Sequence, residues 1–390
     1  MHREKIMKRC ISCGAALSEK PLLAIRNMPA GAQDIPDRAH LKSERGITVK
    51  LCVCKGCGLV QLANKEVPYY RDVIRAGGYS TTMRDLRKSQ YEEWIKLCDL
   101  KGKKILEAGC GQGEFLRILA EYPVQAYGIE HKKDLVKKAR EAGLSVECDY
   151  PEKEDAVFKY APFDGFTSFN FLEHQPDPCR YLRAIANNLT PDGVGLITVP
   201  DLKYILKENS FYEIIPDHLS YFTAETLSSL LDRCGFDVLK KETVNRDTVS
   251  VIVKRKPVPD VSGLLSRKET IEKEALDLLG QKKKAGKKMA IWGASHQGFT
   301  LCAVAGLKDS VTCIIDSAPF KQNKFAPASH IPILSPEKAS EKNPDGILIV
   351  APGYTDEIAG EIRKKFSPSV GIYVLKTDHI TKYKRRVPHS

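Results

Sequence analysis

From residue 84 onward, two patterns of apolar residues take turns along this chain: short continuous runs, and stretches with helical spacing. Residues 84–97, the segment opening at Phe115, and residues 134–142 and 177–189 place apolar side chains three and four apart and predict helices. Between them, the runs at 105–106, 124–129, 144–148, 163–169 and 194–199 predict strands, with Gly143 and the turn Thr190-Pro191-Asp192-Gly193 as punctuation. Such alternation builds a doubly wound parallel α/β sheet, which binds ligands at the carboxyl ends of its strands. Residues 204–222 break the pattern. They are aromatic-rich, too apolar for a solvated loop and too irregular for a regular element, which predicts a cap over a substrate.

Thr223 then caps a helix that stops at Gly235, and strands follow at 236–244 and 248–254. Arg255-Lys256-Pro257-Val258-Pro259-Asp260 reads as a linker. A charged helix over 264–284 leads into a second α/β series, with a strand and glycine turn at 289–298 and a helix to Gly306. A strand at 311–315 ends in Asp316, and the loop 319–333 precedes a strand (347–350), a helix (355–365) and a strand (370–374). The predicted division is an N-terminal module (1–75), a central domain (76–256) and a smaller C-terminal Rossmann-like domain (263–390).

Composition narrows the function classes. The 390 residues are 42% apolar and 28% charged, as expected of a soluble chain with two or three domains. No apolar run is long enough to span a bilayer, and the start Met1-His2-Arg3-Glu4-Lys5 lacks a signal-peptide core. The expectation is a cytoplasmic protein without a membrane partner. The net charge of +12 suits an anionic small molecule as well as nucleic acid. The lysines are scattered along helices with no interleaved aromatics to stack bases, which disfavours nucleic acid.

Five of the twelve cysteines fall within the first 57 residues. Cys10-Ile11-Ser12-Cys13-Gly14 and Cys54-Lys55-Gly56-Cys57-Gly58 repeat C-x-x-C-G. Two such turns predict a closed tetrahedral site for structural zinc at Cys10, Cys13, Cys54 and Cys57. Cys52 is left out because only Cys54/Cys57 repeats the spacing and glycine of the first pair. The alternative is a cluster of reduced thiols in a small apolar core.

The strongest single motif is Glu107-Ala108-Gly109-Cys110-Gly111-Gln112-Gly113, between a strand and a helix. Its glycines let the backbone approach a ligand closely. The spacing lacks the two-residue gap of the dinucleotide fingerprint, which disfavours an NAD-dependent oxidoreductase. It resembles motif I of class I S-adenosylmethionine (SAM) methyltransferases. That resemblance implies that Glu107, Gly109, Gly111 and Gly113 form the turn under the cofactor. It also implies that Glu130, closing the next strand, holds the ribose hydroxyls, that Asp149 reaches the adenine, and that Asn170 lines the same site.

Taken with the paired C-x-x-C-G, Gly58-Leu59-Val60-Gln61-Leu62, Asp217-His218-Leu219-Ser220-Tyr221 and the 319–333 loop, nearly the whole chain resembles the sugar C-methyltransferases that act on nucleotide-linked ketosugars. The resemblance implies a zinc module, a SAM domain and a C-terminal Rossmann-like domain. It further implies a small-molecule acceptor of nucleotide-sugar type, methylated on the carbon beside its ketone. His218 would be the base, oriented by Asp217, and Tyr79 and His174 would join the sugar site. Where the family's cap usually reads Tyr-His-Glu-His, this chain has Ile215-Pro216-Asp217-His218, and Gln297 stands where the family favours lysine. An N- or O-methyltransferase of the same architecture, or a zinc-ribbon RNA-binding protein, is the alternative. Gly293/Gly298 with Asp316 reads equally as a second nucleotide site or as a Rossmann-like domain with no ligand of its own.

Overall fold

The largest sheet has seven strands in the order Phe236–Val244, Thr248–Arg255, Leu189–Pro200, Phe163–Phe169, Lys104–Ala108, Gln125–Glu130 and Ser145–Cys148. It lies in the first of two compact units, 1–258 and 259–390, of a computed structural model that describes residues 7–33, 35–72 and 80–384. From Leu189–Pro200 to Ser145–Cys148 all neighbours are parallel. Thr248–Arg255 is antiparallel to both of its neighbours and adds a hairpin to the expected parallel series. The reason is local. Only Asn245-Arg246-Asp247 joins the last two strands, with φ of 46° and 69° at Asn245 and Arg246, so the chain makes a hairpin and cannot cross over.

Both faces of this sheet are covered, and the period of two along its strands divides the core. Ile105, Phe169, Leu196 and Ile252 pack with Tyr91 and Trp94 of the helix Thr81–Leu97 and with Leu116 and Leu119 of Glu114–Leu119. Leu106, Phe166, Ile197 and Val251 pack with Tyr181, Leu182 and Ile185 of Pro178–Asn187 and with Leu227, Leu230 and Leu231 of Ala224–Arg233. The caps follow the sequence signals: Ser80 accepts from Met83 N, and Thr223 and Thr226 form a capping box. The expected turn at 190–193 is absorbed as a bulge. Leu189 pairs with Phe163 and Val194 with Gly165, so one strand runs from Leu189 to Pro200.

The N-terminal module is a meander of Leu23–Met28, Ile47–Val53 and Val60–Leu62. Its fourth strand comes from the far side of the sequence, as Ser220–Tyr221 pairs antiparallel with Val60–Leu62. The span expected to be irregular therefore has defined parts. A helix at Leu202–Glu208, capped by Asp201, buries Leu202 and Ile205 against Val49, Leu51 and Leu62 of the module, and a single 3₁₀ turn follows at Phe211–Glu213. Module and cap share one sheet and one core.

In the second unit a seven-stranded sheet runs Lys324–Phe325, Pro332–Leu334, Ile314–Ile315, Met289–Trp292, Gly346–Ile349, Gly371–Leu375, Ile380–Lys382, parallel except at its two edges. The long helix Ser262–Lys284 buries Ala275 and Leu279 in its core.

Gly195 in the first sheet has Phe166 ring atoms 2.3 Å from where a Cβ would stand. Gly195→Ala is expected to lower unfolding free energy by about 1–3 kcal/mol through overpacking, read as a lower denaturant midpoint.

Candidate functional site

At the carboxyl ends of Lys104–Ala108 and Gln125–Glu130 the glycine turn opens a cavity of about 340 Å³. Gly109, Gly111, Glu130, Asp149 and Asn170 line it, with Arg71, Tyr150 and Phe171. Gly109 and Gly111 both take left-handed backbone, with φ of 73° and 59°. Buried Glu130 is fixed by two amides, its Oε2 accepting from Gly111 N at 3.1 Å and its Oε1 from Lys132 N at 2.9 Å. Each oxygen keeps lone-pair capacity for a further donor, so the carboxylate fits a ribose diol. The wall at Gly109 and Gly111 carries no side chain, and a Cβ on Gly109 would stand 3.9 Å from the Phe171 ring. Asn170, at φ 47°, accepts from Thr198 Oγ1 at 2.7 Å, and Asp149 Oδ1 accepts from Tyr150 N. The residues present fit a SAM-sized nucleoside.

Two residues of the motif do other work. Glu107 is fully buried in the sheet, and it is not among the residues on the cavity wall. Gly113 is not on that wall either; it begins the helix Glu114–Leu119 at φ 87°, and a Cβ there would meet Leu144 Cδ1 at 2.2 Å. Its glycine serves helix packing.

The imidazoles lie one ring beyond the cavity. Phe171 on the cavity wall is 6.4 Å from His174, ring centre to ring centre, and His174 meets His218 edge-on at 4.8 Å. The structure does not bring the Asp217 carboxylate to His218. Asp217 Oδ2 accepts from Ala32 N and Oδ1 from Tyr69 Oη, both at 2.9 Å, so its carboxylate fastens the cap to the N-terminal module. Its carbonyl oxygen accepts instead from His174 Nδ1 at 2.7 Å. Tyr221 is buried, its hydroxyl closing the cap on Ile215 N and O, a packing role. Tyr79 lies outside the described residues.

Sequence reasoning passed over Glu173, which neighbours both imidazoles: one oxygen or nitrogen atom from each of Glu173, His174 and His218 falls within 4.8 Å of the others. Its signal was available, as an acid inside Asn170-Phe171-Leu172-Glu173-His174 at a strand's carboxyl end. Burial pushes its carboxyl up to about 8. Burial also holds His174 down at about 4, and burial with the neighbouring His174 ring holds His218 at about 3.

At the N-terminus Cys10, Cys13, Cys54 and Cys57 converge, all four sulfurs within 4.8 Å of one another. The Cys10–Cys57 and Cys13–Cys54 separations are 3.7 and 3.4 Å. A tetrahedron of ~2.3 Å zinc–sulfur bonds has edges of about 3.8 Å. Gly14 and Gly58 turn left-handed behind each second cysteine, and Ser12 N, Gly56 N and Cys57 N point at sulfur. Buried Gln61 pins the first turn by accepting from Ile11 N. Cys52 is buried apart from this set.

In the second unit, a cavity of about 530 Å³ is lined by Gly293, Gln297 and Asp316 among others. Asp316 is already engaged by Ala294 N, Ala318 N and Lys321 Nζ at 2.9–3.0 Å. A Cβ on Gly298 would stand 2.0 Å from Gly293 O, so that glycine serves backbone packing.

Residues 83–241 match the model of a methyltransferase domain, and residues 262–376 match that of a C-methyltransferase C-terminal domain. The chain is 25% identical over 389 residues to the C-methyltransferase NovU of Streptomyces niveus, covering 91% of this chain and 92% of that one. A ubiquinone biosynthesis O-methyltransferase of Xanthomonas oryzae pv. oryzae (strain PXO99A) is 40% identical over 100 residues, 24% of this chain and 42% of that one. Among solved structures, the PH0226 protein of Pyrococcus horikoshii OT3 aligns over 49% of this chain and 100% of its own, with 18% identity and a TM-score of 0.40.

Glu173 and the two histidines set a pH optimum of stability. Histidines held below their unfolded value near 6.5 destabilise the fold as pH falls below that value. A carboxyl held at about 8 does the opposite, because the unfolded chain releases its proton near 4.5 and the folded chain retains it. Above pH 6.5 the histidines are neutral in both states and Glu173 dominates, so stability falls between pH 6.5 and 8. Glu173→Gln is expected to flatten that alkaline limb, measured by denaturant midpoints across pH.

Proposed function

This chain belongs to the SAM-dependent methyltransferases that carry a C-methyltransferase C-terminal domain, and from that premise we propose that it methylates the carbon beside the ketone of a nucleotide-linked ketosugar. The observation that carries the reading is the pair of imidazoles, held neutral by burial, that continues from Phe171 on the wall of the glycine-turn cavity. An amine or hydroxyl acceptor is already a nucleophile, whereas a carbon acid needs a base to give up its proton. His218, half-buried and on the cap, is that base, and the His174 ring packs against it edge-on. The net charge of +12 suits a diphosphate-bearing acceptor.

Gly109, Gly111, Glu130, Asp149 and Asn170 hold the cofactor, the carboxylate of Glu130 taking the ribose diol. SAM, when bound, supplies the methyl group on a sulfonium. The chain's own part is positioning and proton removal: the cap excludes water, and His218 takes the proton at an imidazole nitrogen. Cys10, Cys13, Cys54 and Cys57 hold one structural zinc ion, which keeps the module folded beneath the cap.

Two measurements test this. Protein given methyl-labelled SAM and a panel of nucleotide-sugars, ketosugars included, is expected to place label on carbon. His218→Asn is expected to lower that rate by at least roughly a hundredfold while calorimetry shows unchanged affinity for the demethylated cofactor. A mild effect of this variant would favour a nitrogen or oxygen acceptor. For the metal, elemental analysis should find one zinc per chain, and Cys54→Ser should lose it and melt at lower temperature.

A further inference from the structure

Behind the two imidazoles lies a carboxyl group that the reading of His218 as base leaves unused. Glu173 is 1% exposed, its Oε2 has no hydrogen-bond partner among the described residues, and its Oε1 stands 3.8 Å from His174 Nε2. Two hydrogen bonds hold this arrangement to the cap: Leu219 N donates to Glu173 O at 2.8 Å, and His174 Nδ1 donates to Asp217 O at 2.7 Å. The second also fixes a tautomer. A carbonyl can only accept, so Nδ1 carries the hydrogen, and the neutral ring turns a bare Nε2 lone pair toward Glu173. A lone pair facing the carboxyl at 3.8 Å in a dry site disfavours its ionisation, and His218 closes the group from the cap side.

We propose that Glu173, His174 and His218 act as one proton-accepting unit, in which the Glu173 carboxylate supplies the charge that lets His218 keep the proton it removes from the acceptor. This rests on the carbon-acid reading above. The acceptor's C–H bond breaks, its electron pair stays on the substrate as the enolate, and the proton forms an N–H bond on His218. A negative charge within 4.8 Å of the ring nitrogens stabilises the resulting imidazolium, and the proton returns to water once product has left.

The need for that charge follows from the site's dryness. An imidazole held at about 3 is neutral and free to accept, yet it holds a proton badly, so burial alone makes His218 a weak base. Ionised Glu173 offsets this, and its carboxyl, pushed up to about 8, is ionised to a useful degree in mildly alkaline solution. The titratable groups around it are His174 on its own turn, Asp217, His218 and Tyr221 on the cap, and Tyr150 beyond Phe171. Asp217, Tyr221 and Tyr150 are committed to Tyr69 and Ala32, to Ile215, and to Gln175 respectively. Glu173 is on this account a positioning residue that acts through His218.

The experiment follows proton removal without methyl transfer. A nucleoside-diphosphate 4-ketohexose is incubated in heavy water with the protein and the demethylated cofactor, and loss of its carbon-bound hydrogen beside the ketone is followed by NMR. The wild type is expected to exchange faster as pH rises through about 8. Glu173→Gln is expected to exchange roughly a hundredfold more slowly, with that rise gone and with cofactor affinity and melting temperature at neutral pH retained. Glu173→Asp, which keeps the charge, should retain the rise at a reduced rate, and it carries the test if the glutamine variant does not fold. Wild-type exchange in Glu173→Gln, or a flat profile in folded Glu173→Asp, overturns the inference and leaves His218 as base. No exchange by the wild type overturns the carbon-acid reading, and this inference falls with it.

Discussion

The candidate active site depends on the carboxylate of Asp217. Both of its oxygens are taken, one by a main-chain amide in the loop at Ala32 and one by the hydroxyl of Tyr69, and the residue is buried. Charge-assisted hydrogen bonds to a buried carboxylate are each worth about 1.5–3 kcal/mol, and the penalty of leaving such a group unpaired is larger. The cap therefore has one low-energy position, against the N-terminal module. With the carboxylate so engaged, the Asp217 carbonyl orients His174 and the next residue presents His218. One residue thus ties the four-cysteine module to the place of the two imidazoles.

Through that tie the four cysteines at one end of the chain are joined structurally to the imidazoles at the other. The meander Leu23–Met28, Ile47–Val53, Val60–Leu62 is too small to bury a core of its own. It gains a fourth strand from Ser220–Tyr221 and an apolar floor from Leu202 and Ile205 of the cap helix. Gln61, buried at the junction, accepts from Ile11 in the first cysteine turn while its own strand pairs with Ser220. Loosening the cysteine site would loosen the sheet on which the cap rests. The cap in turn supplies one member of the imidazole–carboxyl group, His218, and the Asp217 carbonyl that orients another, His174. Stability of the module and geometry of the base are one quantity seen from two ends.

Much of this was legible because local rules and tertiary context agreed. The glycine turn, the acid Glu130, both C-x-x-C-G turns and the caps at Ser80 and Thr223 sit where spacing and capping chemistry predict. The misses share a cause. The direction of the last two strands was not readable, since an apolar run buries the same face either way, and the hairpin at Asn245 sets it. Asp217 stands next to His218 in sequence, yet it sits in the turn that His218 N closes on Ile215 O, and its carboxylate found Tyr69 instead. Glu173 was overlooked because an acid at a strand end reads as solvated, and only the fold shows it enclosed beside two rings. Gly113 carries the motif's spelling while serving the helix contact with Leu144.

The two glycine turns of the chain show why spelling and site must be argued separately. In the first unit Glu130 gives one oxygen to Gly111 N and one to Lys132 N, and both remain open to a diol. In the second unit Asp316 closes the corresponding strand and takes three donors, including the Lys321 ammonium at 3.0 Å. An ammonium seated on the carboxylate must be displaced before a sugar hydroxyl can bind there, at a cost in ion pairing that a neutral diol recovers poorly. The glycines of that second turn are demanded by the approach of Gly298 to Gly293 O and of Gly293 to Val350 O. The same strand–glycine–helix geometry is thus fully explained by backbone packing in one unit and only partly in the other. What remains unexplained by packing, the bare wall at Gly109 and Gly111 beneath an acid with lone pairs to give, is where a nucleoside belongs.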